Sequence, residues 1–85
     1  MCTMIVETTR ITGSGKGAQG WFSLTKANVS YDHPFHTPLD NALNIDFVDE
    51  SEGLGGRVAV ELTRESAQQL VKAITTALDR GEAYD

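Results

Sequence analysis

Apolar and polar positions along the chain follow two rhythms. Leu43, Ile45 and Phe47 alternate with Asn44 and Asp46, and Val58, Val60 and Leu62 repeat the alternation further on. A period of two sends successive side chains to opposite faces, so both segments read as half-buried strands. The spacing then changes. Ala67, Leu70, Val71, Ile74, Ala77 and Leu78 recur at helical intervals, which predicts a C-terminal amphipathic helix. Thr63 stands where an N-cap belongs, Glu65 falls in the first turn, and Gly81 follows Arg80 at the far end, where dipole and capping rules favour them. Leu70 and Ile74 are expected to pack against Ile45 and Val60.

The N-terminal half is less regular. Residues 2–11 are rich in Thr, Ile and Val without Gly or Pro, a strand composition. The stretch GSGKGAQG at residues 13–20 holds four glycines and reads as a long hairpin loop before a second strand over residues 21–31. Within that strand Phe22 and Leu24 share one parity and Ala27, Val29 and Tyr31 the other. An extra residue near Thr25 or Lys26, a β-bulge, would restore one buried face. Pro34 and Pro38 both fall in residues 32–40 and interrupt any ladder there, so that segment is a loop. The expected fold is α+β: residues 1–85 form a single domain, a four-stranded antiparallel meander with one C-terminal helix packed on one face.

Composition narrows the function. With 85 residues, 40% apolar and 22% charged, the chain is an ordinary globular domain with room for one core. No apolar run reaches the roughly 18 residues of a membrane span, and no export signal opens the chain, so a cytoplasmic protein is expected. Seven basic against twelve acidic residues leave a net charge of −5, a field that repels phosphate backbones and argues against nucleic-acid partners. A single cysteine cannot form an internal disulfide, so the core must hold the fold. A core this small is marginal, and Trp21, Phe22, Tyr31 and Phe35 offer more aromatic surface than one helix covers. A homo-oligomer is therefore expected.

Candidate chemistry gathers at one end of the expected sheet. The glycine stretch has the letters of a dinucleotide fingerprint, but it runs into a strand instead of a helix, and Lys16 is followed by Gly17, not by the Ser or Thr of a phosphate loop. Asn28-Val29-Ser30 spells a glycosylation acceptor that a cytoplasmic chain would not use. Both histidines lie in DHPFHTP at residues 32–38, where proline-biased threefold geometry returns His33 and His36 to one side. If Ile11 faces Trp21, paired positions sum to about 32 and Cys2 falls opposite residue 30 or 31. The thiol would then meet the histidine loop. Cys2, His33 and His36 are candidate ligands for a divalent transition metal such as zinc, iron or copper. Cys2, His33 and Asp32 are the candidate catalytic groups of a metal-free site, Asp32 serving as ligand, tautomer-fixing acceptor or partner of a base. A purely structural role for these residues stays open. Lys26, Asn44, Asp46, Arg57 and Glu61 should project from the sheet face opposite Leu43, Ile45 and Val60, as a solvated face with cross-strand charge pairs.

The opening MCTMIVE, the GSGKGAQGWF stretch at 13–22, YDHPFH at 31–36, ALNIDF at 42–47 and RVAVELT at 57–63 together resemble a small bacterial family of unknown function. The resemblance covers nearly the whole chain and implies a bacterial intracellular protein, but no reaction, cofactor or site residue. Two functions remain in view: a small-ligand or metal-assisted site where Cys2, Asp32, His33 and His36 meet, or a non-catalytic interaction module acting through its sheet face or edge.

Overall fold

The computed structural model describes residues 5–50 and 56–85. Four strands, β1 (Ile5–Gly17), β2 (Gly20–Asp32), β3 (Ala42–Val48) and β4 (Arg57–Leu62), form one antiparallel sheet in the order β1-β2-β3-β4, followed by helix α1 (Arg64–Gly81) and a short 3-10 turn (Glu82–Tyr84). The expected α+β meander is the observed fold.

Register sorts the side chains. Val29 pairs with Ile45 and Ile45 with Val60, while Tyr31 pairs with Leu43 and Leu43 with Leu62, so these residues share the face toward α1. Ser30, Asn44 and Glu61 align on the opposite face, as do Asn28 and Asp46. The polar face expected from the alternation is therefore present. It carries the Arg57–Asp46 pair at 2.7 Å and, at its end, Lys26–Glu50 at 3.5 Å.

Three expectations about the first hairpin are corrected. The glycines at 13, 15 and 17 lie inside β1 instead of in a long loop, and the turn is only Ala18-Gln19, between paired Gly17 and Gly20. Gly20, at φ +112°, takes the backbone conformation other residues avoid,. The glycine strand survives because neighbouring large side chains occupy the space its own would have filled. A Cβ at Gly15 would stand 3.2 Å from Leu24 Cδ2, and one at Gly17 3.2 Å from the Phe22 ring, so β2 side chains lie over bare backbone. The irregularity falls on β1, between Arg10 and Gly13, not on β2 at Thr25 or Lys26. Phe22 and Leu24 consequently keep their parity and leave the face of Ala27 and Val29. Pairing is Ile5 with Tyr31 and Val6 with Ser30, a sum of 36 in place of 32, so the positions opposite 30 and 31 are not Cys2. Cys2 itself lies outside the described residues.

The helix begins as its sequence dictates. Thr63 Oγ1 accepts the Ser66 N–H at 3.0 Å, satisfying an otherwise orphaned amide, and the Arg64 guanidinium sits 5.0 Å from the Tyr31 ring centroid, tying the helix start to β2. At the other end Gly81 has φ −71° and passes directly into the 3-10 turn, so it ends the helix without the left-handed cap that glycine permits. Packing is sparse: α1 has no buried residue, and among the described residues the buried apolar side chains are chiefly the small Ala27 and Ala42.

Candidate functional site

The β2–β3 loop is organised by one side chain. Glu61 on β4 reaches across the sheet end, and its carboxylate accepts the backbone N–H groups of Phe35 at 2.7 Å, Thr37 at 2.8 Å and His36 at 3.1 Å. Proline-broken backbone cannot satisfy these donors within a ladder, and a carboxylate with two acceptor oxygens can. The Glu61 pKa is lowered from 4.5 to about 2, first by the Thr37 N–H and, against an opposing desolvation, by the Phe35 N–H, the Thr37 side chain and the His36 N–H together,. Sequence reasoning placed Glu61 on the polar face but missed this task. The available signal was its alignment with Asn44 and Ser30, which puts it at the sheet end where the loop leaves β2.

The loop then fixes His33. Its N–H donates to Asp32 Oδ1 at 2.7 Å, and its ring Nδ1 lies 3.0 Å from the Asp40 carbonyl oxygen. A carbonyl only accepts, so Nδ1 carries the proton and a neutral His33 keeps Nε2 as an acceptor, the tautomer suited to a metal ligand or a base. Asp32 and His33 line a cleft of about 190 Å³ on the polar face together with Asn44, Arg57 and Glu61. The Asn44 amide nitrogen donates to the Asp32 and Ala42 carbonyls at 3.3 Å each, and its buried Oδ1 has no partner among the described residues. His36 is held by its backbone on Glu61 and is not among the residues lining this cleft. Among the described residues no group of three or more His, Cys, Asp or Glu side chains is placed to hold a metal ion; the expected set includes Cys2, which lies outside them.

The opposite face presents a second surface. Between α1 and the sheet runs an open cleft of about 290 Å³ lined by Val29, Leu43, Ile45, Leu62, Leu70 and Ile74, among others. Of the two expected neighbours of Leu70 and Ile74, Ile45 lines this cleft with them and Val60 does not, and the contact is loose: Leu70 is 42% exposed, Ile74 50%, Val71 63% and Leu78 68%. The expectation that aromatic surface exceeds what the helix covers holds for Trp21, 71% exposed, and for Phe35, 98% exposed at the tip of the clamped loop.

Fold and surfaces define a small α+β domain with a polar cleft on one sheet face and, among the described residues, an open apolar cleft on the other. The chain belongs to the Family of unknown function (DUF6295), which it matches over residues 1–84. No curated protein and no solved structure matches it. Among the described residues no helix is long and apolar enough to cross a membrane.

Proposed function

We propose that the protein is a non-catalytic interaction module whose working surface is the cleft between α1 and the sheet. One observation carries this reading: an 18-residue helix with no buried side chain holds its apolar stripe over an apolar sheet row across open space. Helices in proteins draw most of their stability from packing an amphipathic face. A stripe left this bare is a surface awaiting cover. Charged positions Glu65, Lys72 and Asp79 recur every seven residues on the far side of the helix, and past Arg64, which lies over Tyr31 at the helix start, the stripe from Ala67 to Leu78 carries no charge,. The test is exposure of the Leu70, Val71, Ile74 and Leu78 methyl groups to a soluble paramagnetic agent, with binding of an anilinonaphthalene sulfonate dye measured in parallel. Methyls shielded by an occupant, or a dye bound in the cleft and lost in Ile74→Gln, are the expected results. Bare methyls without dye affinity overturn the reading.

A second reading concerns the polar face, where the orientation of His33 favours a small-ligand or metal-assisted site formed by Asp32, His33 and His36 with Cys2. The tautomer that the Asp40 carbonyl selects is the one in which Nε2 can ligate or take a proton. Zinc titration followed by the His33 ring resonances checks it: shifts at His33 and His36 that vanish in Cys2→Ser are expected, and unshifted rings at millimolar zinc refute it.

A further inference from the structure

Resting on the reading of the cleft as a docking surface, we infer that its occupant is a second copy of this chain. The two copies sit about a two-fold axis, with the outer stripe of each α1, Val71 and Leu78, laid against the other's cleft.

The argument is one of area. The chain exposes 6848 Å², whereas a compact monomer of its 9.2 kDa mass exposes about 4,900 Å². Its radius of gyration is 14.4 Å, against about 12 Å for a compact domain of this length. Hiding only half of the surplus on each of two chains removes about 2,000 Å² in total, the size at which obligate homodimer interfaces begin. A cover of that extent is what a second copy supplies at a permanent interface, and transient encounters bury less. The surface also has both halves of a contact on one chain, a raised apolar stripe and an apolar cleft beside it, which a two-fold axis satisfies twice at once. Helical spacing agrees: Ala67, Val71, Ile74 and Leu78 alternate steps of four and three, the seam along which two helices pack. Charge agrees as well. Each chain carries −5, but no charge lies in the stripe, so the opposing term is long-range repulsion that salt screens. The polar face with Asp32, His33 and Glu61 lies on the other side of the sheet and stays open in the assembly.

Sedimentation velocity and thermal melting of the untagged chain test this. A species of about 18 kDa, twice the 9.2 kDa chain, is expected down to about 1 µM, with a melting temperature that rises with protein concentration and association that tightens as salt is added. Leu78→Glu, at a side chain 68% exposed in the single chain, should weaken association by about 100-fold or more. Gln69→Glu, the same charge change on the opposite side of α1, should leave it unaltered. If Leu78→Glu fails to fold, the concentration dependence of the wild-type melt still decides. A single-chain mass at about 100 µM with a concentration-independent melt overturns the second copy, and so does a Leu78→Glu dimer as tight as the wild type. In the monomer case, a dye bound in the cleft leaves the docking surface standing with another protein as its occupant. An unbound dye with bare methyls removes both.

Discussion

Leu70→Ala measures how much of the cleft is covered in solution. The substitution deletes three carbon groups, each contributing about 0.8 kcal/mol when fully buried. Leu70 is 42% exposed in the single chain, so a little over half of that transfer energy is present there, about 1.4 kcal/mol. The cavity term adds little, because the side chain borders an open cleft that water or neighbours can enter. With a second copy seated on the cleft the full transfer energy applies and a cavity is left in a closed interface, which raises the cost to about 3 kcal/mol per chain. Urea denaturation followed by helix circular dichroism, run at about 2 and about 50 µM, separates the cases, because only an associating chain changes its midpoint with concentration. A loss below about 0.5 kcal/mol at both concentrations would place Leu70 off the packed stripe and refute the helix phase. A loss of about 1.4 kcal/mol that ignores concentration would keep the phase and deny the cover.

Other consequences follow from single contacts. The Glu61 pKa is depressed to about 2 from 4.5, so its stabilisation of the loop is complete above about pH 4.5 and is lost as pH falls through 2; the amide resonances of Phe35, His36 and Thr37 should titrate together with a midpoint well below 4.5, and a midpoint at 4.5 would deny the clamp. Gly56→Ala would bring a Cβ within 2.7 Å of Asp49 Cβ and 3.1 Å of the Phe22 ring, and overpacking of this kind should cost about 1–3 kcal/mol in a denaturation series; a neutral result would mean that Phe22 does not lie over this position. Thr63→Ala removes the acceptor for the Ser66 N–H and should cost about 1 kcal/mol, whereas Thr63→Asp should retain most of it; equal losses in both would argue that the cap is idle.

What could be read from the sequence was what is written locally. The alternation around Ile45 and Val60 and the helical spacing after Thr63 each depend on neighbours a few positions away, and both elements stand where the pattern put them. The hairpin was harder. A phase change in β2 says that one residue must be absorbed, but not by which strand, and the structure absorbs it in β1 opposite Thr25. The glycines misled for a related reason. Gly13, Gly15 and Gly17 have no side chains of their own to signal a strand, and only the Leu24 and Phe22 side chains over Gly15 and Gly17 make that backbone a sensible place to pair. Glu61 was beyond local reading, since its three N–H donors lie 24–26 positions away and no pattern in the chain links an acid on β4 to a loop after β2.

The same locality explains why the chain would tie folding to assembly. α1 is well specified by its own sequence: a hydroxyl cap at Thr63, Glu65 in the first turn and Arg80 in the last, devices that contribute about 1 kcal/mol or less each. Such devices decide where a helix starts and stops, but not whether a helix with every side chain partly in water persists. If a second copy closes the cleft, as inferred above, order in α1 comes from that cover, because among the described residues the buried apolar side chains are chiefly Ala27 and Ala42 and the lone sheet has little to spare. Dilution should then cost helix content before it costs the β2–β3 pairing, whose ladder runs unbroken from Lys26–Val48 to Asp32–Ala42. Circular dichroism and amide exchange across a dilution series would show that order of loss, and simultaneous loss of both elements would mean that helix and sheet stand or fall as one unit regardless of cover.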